Sequence, residues 1–138
     1  DAAGLTHIIG RNKIDTVWMN IRPGKGLLTI CHCCPCCCLW KVHPNLDEDI
    51  SGKLEKLDGV EVKLNQDNCT LCKKCLDDLC MYQAISLKDN KIAIDNDTCK
   101  GCGLCVNACK FDAITIDYTK ETIDNVVNRI EDLLEIKE

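Results

Sequence analysis

Hydrophobic and polar positions alternate in short bursts through the second half of the chain and switch to a helical period only near its end. Val60-Glu61-Val62-Lys63-Leu64 and Lys91-Ile92-Ala93-Ile94-Asp95 alternate apolar with polar residues, which predicts half-buried strands. Ala84-Ile85-Ser86-Leu87 and Ala113-Ile114-Thr115-Ile116 read as two further short strands, and Asp89-Asn90 supplies hairpin-turn chemistry between Leu87 and Lys91. Asp58 and Gly59 mark a turn before the first of them. From Thr119 onward, Ile123, Val126, Val127, Ile130, Leu133 and Leu134 recur at three- and four-residue intervals with charges between them. That period predicts an amphipathic helix, N-capped by Thr119 or, as second choice, Thr122, and expected to pack on the strands; partner docking is the minor alternative.

The first half is less regular. Residues 1–30 hold no sustained period, although Asp15-Thr16-Val17-Trp18-Met19 is expected as a strand. The stretch from Pro44 through Asp47-Glu48-Asp49 to Lys53-Leu54-Glu55-Lys56-Leu57 reads as a linker that becomes a short helix. These features divide the chain into a Cys-rich part (1–58), a strand-rich part (59–118) and a C-terminal helix (119–138). The chain opens at Asp1 without an initiator Met, as a processed form or a piece of a longer protein would.

Composition narrows the classes. The 138 residues carry 17 basic and 22 acidic side chains, a net charge of −5, so the cationic footprint of a nucleic-acid binder is missing. No apolar run approaches the roughly 20 residues of a membrane-spanning helix. The expectation is a soluble, cytoplasmic protein without a nucleic-acid partner or a membrane span. Arg22-Pro23-Gly24-Lys25-Gly26 lacks the spacing of a phosphate loop and reads as a basic turn.

Fourteen cysteines change the picture. They fall in three blocks: Cys31, Cys33, Cys34, Cys36, Cys37 and Cys38; Cys69, Cys72, Cys75 and Cys80; Cys99, Cys102, Cys105 and Cys109. Such bunching suits metal ligands better than a disulfide framework, whose partners are scattered. With only 2 Trp, 2 Tyr and 1 Phe, the chain has few large core side chains, so metal–sulfur bonds are expected to supply part of its folding free energy. An offset of 30 aligns Cys69, Cys72 and Cys75 with Cys99, Cys102 and Cys105; the fourth cysteines, Cys80 and Cys109, are 29 apart, because the first unit has one extra residue before its last cysteine. The strand-rich part is therefore an internal repeat. Each unit is expected as strand, ligand loop, short helical turn and strand.

Three thiolates at Cys-x2-Cys-x2-Cys spacing wrap one corner of a cubane, and the fourth must come from farther along the chain. Twice over, this pattern resembles the bacterial-type two-cluster ferredoxins. The resemblance covers residues 65 to about 118 and implies an α+β, ferredoxin-like fold with two 4Fe-4S clusters. It also implies crossed ligation: Cys69, Cys72, Cys75 and Cys109 on one cluster, Cys99, Cys102, Cys105 and Cys80 on the other. The sequence departs from the family where a proline usually follows the last cysteine, here Met81 and Lys110. Gly101 and Gly103 in the second loop face Leu71 and Lys73 in the first, so the clusters are expected to differ in potential. Zinc is the competing occupant, but zinc sites favour paired Cys-x2-Cys knuckles over triplets. Two all-thiolate cubanes at about −2 each would bring the holoprotein to about −9, a charge suited to docking on a basic patch.

The run Cys31-His32-Cys33-Cys34-Pro35-Cys36-Cys37-Cys38 is what an ordinary ferredoxin lacks. Within it Cys31-x2-Cys34-x2-Cys37 repeats the cubane spacing and Cys33-x2-Cys36 the spacing of a zinc knuckle, with His32, His7 or His43 available to complete either set. A third iron–sulfur cluster or other polynuclear site leads; zinc or a copper-like ion, and redox-active thiols, stay open. With Gly4-Leu5-Thr6-His7 ahead of it, the run resembles a Cys-rich signature of uncharacterised iron–sulfur proteins of anaerobes. Trp18 and Trp40 are expected to cover this site. The functional expectation is an oxygen-sensitive, low-potential electron carrier or electron-transfer subunit, partnered by a redox enzyme or larger oxidoreductase complex. The alternatives are a redox enzyme with its active metal at the Cys31–Cys38 run, fed by the clusters, and a metal-delivery or redox-sensing protein.

Overall fold

The structure, a computed structural model, describes residues 5–10, 13–22, 27–34, 36 and 38–131. Cys37, Pro35, Gly4, residues 23–26 of the expected basic turn and residues 132–138, with Leu133 and Leu134 of the expected helix, lie outside the described residues.

Four short strands form the centre: β3 (Glu61–Leu64), β4 (Ile85–Lys88), β5 (Lys91–Ile94) and β6 (Ile114–Asp117). They pair antiparallel as β3 with β6 and β4 with β5, so the leading strand of each repeat unit lies beside the trailing strand of one of the units. Register sets Val62 opposite Ile116 and Leu64 opposite Ile114 in one pair, and Ile85 opposite Ile94 in the other. The β4–β5 hairpin turns at Asp89 and Asn90, both with φ in the left-handed region, the geometry that a tight two-residue turn demands.

The repeat persists in the backbone. Leu71 and Lys73 have φ of 54° and 62°, matching 66° and 80° at Gly101 and Gly103 thirty residues on. Gln83 and Asp112 form another left-handed pair, at 53° and 49°. Asn65 N–H donates to the Ala113 carbonyl and Asp95 N–H to the Ala84 carbonyl, both at 2.8 Å, so each unit's loop is tied to a trailing strand in the same way. The units differ after their third cysteine. The second forms the helix α3 (Leu104–Ala108), entered through Gly103, whereas the first runs through turns over residues 74–79. Val62, Met81, Ala84, Ile92, Leu104, Ala113 and Ile114 make up the buried interior of this half.

The first half brings two corrections. Residues 15–18, expected as part of a strand, belong to the helix α1 (Lys13–Trp18), which Thr29 holds through a 2.9 Å hydrogen bond to the Asp15 carboxylate. Val17, Trp18 and Met19 are mostly exposed, so alternation could not fix their structure, and Trp18, at 75% exposure, is not packed as a cover over the described residues. The linker helix is α2 (Glu48–Ser51), capped by the Asp47 carboxylate on Asp49 N–H, whereas residues 53–57, expected to be helical, are irregular. The acidic cap and first turn select the earlier position. Preceding α1, β1 (Thr6–Gly10) pairs antiparallel with β2 (Thr29–Cys33) in a separate ribbon.

The C-terminal helix α4 (Lys120–Glu131) begins as expected, with Thr119 Oγ1 accepting the Thr122 N–H at 3.2 Å. Its seat is shallower than expected. Thr122 is buried, but Ile123 and Val127 are about half exposed, because only a narrow strip of the helix meets the body.

Candidate metal centres

Each trailing strand begins at a buried alanine, Ala84 or Ala113, and each ligand loop folds back over the strand pair beside it. Two pockets result. One is lined by Cys69, Cys72, Cys75 and Cys109 with Leu64, Ile92 and Ile114 as its apolar floor. The other is lined by Cys80, Cys99, Cys102 and Cys105 over Val62, Ile85 and Ile94. Their empty volumes, open mouths included, are similar, about 390 and 420 Å³. Three cysteines in each pocket come from one loop and the fourth from the other unit.

The thiols respond to this gathering. Burial pushes the Cys75 thiol above its ordinary range, and Cys69, Cys72 and Cys109 add to the rise. Burial also raises Cys102, with Cys80 and Cys99 adding to it, and pushes Cys105 up to about 12 with help from Cys102, Cys99 and Cys80. A neutral thiol set of this kind releases its protons when a cation arrives, which couples loading to pH. At Cys109 burial also raises the thiol, but the backbone N–H groups of Phe111, Ile114 and Ala113 outweigh it and lower the pKa. Ala84 N–H reaches the Cys80 sulfur at 3.3 Å in the equivalent place. Amides aimed at sulfur favour the thiolate form.

These donor sets fit 4Fe-4S clusters: four thiols surround each pocket, and the fourth member has N–H donors already directed at it. Among the described residues no three His, Cys, Asp or Glu side chains converge tightly enough to hold a single metal ion. A cubane asks for the wider spread, since each sulfur binds a different iron.

In the Cys-rich segment, β2 alternation turns Cys31 and Cys33 to one face and His32 to the other. His32 faces its register partner His7 edge-on at 4.7 Å between ring centroids, on the exposed side of the ribbon, away from those two cysteines. Cys33 is 1% exposed, and burial, Cys38 and Cys31 together push its thiol strongly upward. Opposite it Thr6 is buried with a hydroxyl that has no hydrogen-bond partner among the described residues. Cys34 and Cys36 bring their sulfurs within 2.9 Å of each other at the surface. Among the described residues, Cys33 thus has Cys31 and Cys38 as sulfur neighbours; Cys37, which the Cys31-x2-Cys34-x2-Cys37 spacing includes, lies outside the described residues.

His43, third of the candidate histidines, bonds Tyr82 instead: Nδ1 and the phenol oxygen are 2.7 Å apart. Burial and the nearby Lys100 ammonium hold His43 below the ordinary histidine range. Tyr82 lines the second pocket, carries Lys100 over its ring at 5.4 Å, and was not singled out from the sequence. The signal was present in the repeat, because Tyr82 and Phe111 each stand two residues after the fourth cysteine of their unit.

Residues 92–115 match the 4Fe-4S binding domain family. Two uncharacterized ferredoxins of Methanocaldococcus jannaschii are similar to this chain: one is 34% identical over 74 residues, 52% of this chain and 46% of its own length. The other is 37% identical over 51 residues, 34% of this chain and 31% of its own. The indolepyruvate oxidoreductase subunit IorA of Methanothermobacter marburgensis is 36% identical over 56 residues, 41% of this chain and 9% of its own. The chain thus spans less than half the length of each of these relatives. The family match and these likenesses together support a 4Fe-4S ferredoxin module in the strand-rich half of the chain.

Proposed function

We propose that the chain is a low-potential, one-electron carrier or electron-transfer subunit with two crossed 4Fe-4S clusters. Cys69, Cys72, Cys75 and Cys109 would hold one, Cys80, Cys99, Cys102 and Cys105 the other. A further metal group, a third cluster, belongs to the Cys31–Cys38 segment in this reading. The observation that carries it is the pair of pockets, each with three cysteines from one loop and a fourth from the other unit. A 4Fe-4S cluster supplies reversible storage of one electron. The chain's own residues do the rest: Ala84 N–H, with those of Phe111, Ala113 and Ile114, stabilise sulfur charge, and the apolar floors hold water back. The likeness to an oxidoreductase subunit supports an oxidoreductase or its complex as partner, and the reading places the carrier in the cytoplasm. No helix among the described residues is long and apolar enough to cross a membrane.

Anaerobic purification with iron, sulfide and zinc analysis tests this. About eight irons per chain are expected from the two pockets and about twelve with a third cluster; zinc in place of iron at the paired blocks would end the carrier reading. Cys109→Ser should disturb the spectroscopic signals of Cys69, Cys72 and Cys75, and Cys80→Ser those of Cys99, Cys102 and Cys105. The reverse assignment would refute the crossing.

A second reading rests on the half-buried Cys34 and the exposed Cys36, whose sulfurs are 2.9 Å apart. It makes the Cys-rich segment a redox-active or metal-exchanging centre fed by the clusters. It predicts turnover with an artificial reductant, or metal transfer to an acceptor, that Cys34→Ser abolishes while both cubane signals persist.

A further inference from the structure

The two repeat units place an aromatic residue at the same position, yet its surroundings differ. Phe111 lines the first pocket and is 46% exposed, and Cys72 of that pocket is exposed as well. Tyr82 lines the second pocket and is covered from outside by residues that no ferredoxin repeat supplies. After the Cys-rich segment the chain makes two tight turns, Leu39–Lys41 and His43–Asn45, the second with Pro44 in its first turn. These turns bring Trp40 onto the His43 ring (5.0 Å between centroids), His43 onto the Tyr82 hydroxyl at 2.7 Å, and the Lys41 ammonium onto the Asp78 carboxylate at 3.0 Å. The linker continues along the same side. Lys56 Nζ donates to the Asn96 carbonyl at 3.1 Å, and a side chain added at Gly101 would meet Lys56 and Val60 at 3.2 Å.

From this one-sided seam we infer that the turns following the Cys-rich segment anchor that segment beside the second pocket and not the first. Tyr82 and His43 are the positioning residues that make Cys80, Cys99, Cys102 and Cys105 its neighbours. Tyr82 lines the second pocket together with Cys102 and has Cys38 of the Cys-rich segment within electrostatic reach. The inference rests on the two-cluster reading and gives it a direction: the open first pocket faces outside partners, and the second faces inward. Tyr82 thus lies on the side of the second pocket from which the Cys-rich segment is approached.

The test uses the anaerobically prepared full chain in two stages. A zero-length carbodiimide should join Lys41 to Asp78 in a peptide pair detected by mass spectrometry, as it should join Lys63 to Asp117, which are 2.8 Å apart and serve as the internal control. Presence of the control pair without the Lys41–Asp78 pair overturns the docking. Next, Tyr82→Phe and His43→Ala are compared with the parent by the paramagnetically shifted cysteine signals and by the potential of each cluster. Both variants should move the signals and potential assigned to Cys80, Cys99, Cys102 and Cys105, leaving those of Cys69, Cys72, Cys75 and Cys109 in place with unchanged iron content. Equal movement of both quartets, movement of the first alone, or movement of neither refutes the inference. If iron analysis finds no clusters, the proposed function has failed instead, and the cross-link still reports separately on the docking.

Discussion

The left-handed backbone at Lys73 and Gly103 shows how one residue can serve the same loop geometry at different cost. A side chain added at Gly103 would meet nothing within 4 Å, so Gly103→Ala carries only the backbone penalty of a positive φ. It should lower the stability of the loaded protein by about 1 kcal/mol. Lys73 already bears that penalty at φ 62°, so Lys73→Gly should not lower stability at all. Anaerobic denaturant titrations of the two variants should therefore differ in sign. Gly101→Ala should cost more than Gly103→Ala, because Lys56 and Val60 would have to give way. The glycines stood out in the sequence; that Leu71 and Lys73 share their conformation did not, since nothing in a leucine or lysine announces a positive φ.

At the scale of elements, α4 depends on its cap more than on its seat. Thr119→Ala removes the acceptor of the Thr122 N–H and should cost about 1 kcal/mol of helix stability, read as lost helical circular dichroism. Ile123→Ser, at a half-exposed position, should change much less. In the β3–β6 pair, Lys63 bridges Asp117 at 2.8 Å and Glu61 at 3.3 Å, and hydrogen bonds to Asp117 first and Glu61 second hold its ammonium above the ordinary lysine pKa of 10.5. A raised pKa makes the contribution complete below 10.5, and it is lost as pH climbs through the higher folded value. Hydrogen-exchange protection of this pair should therefore decline at strongly alkaline pH in the parent. Lys63→Met should remove that step and leave neutral-pH stability almost unchanged, as expected for an exposed ion pair. The four central strands and the C-terminal helix were legible because each has a clean period and turn signals at its ends. The stretch at 15–19 was not, because Val17, Trp18 and Met19 face solvent and carry no periodic signal.

For the whole molecule, the interior of the ferredoxin half is a handful of small and aliphatic side chains, too little to hold four short strands by hydrophobic burial alone. Clusters that tie each loop to the opposite unit would act as the missing cross-links. Removing iron with a chelator under reducing conditions should therefore unfold residues 59–118 cooperatively, seen as simultaneous loss of iron absorbance and β-sheet signal. Retention of a folded apoprotein would show that the strands suffice.

The chain's sequence by itself determined the repetition and the donors on offer: eight cysteines at two equal triplet spacings, each followed by a fourth cysteine farther on, supply soft thiolate donors. It also set the strands, since alternation and turn residues act locally. Only the tertiary structure decided which fourth cysteine meets which triplet, which sulfurs of the Cys-rich segment meet, and that Tyr82 takes His43 while Phe111 stays open. Those outcomes depend on strand pairing and on how a linker crosses the surface, and contacts between residues some 40 positions apart, such as His43 and Tyr82, leave no periodic trace in the sequence.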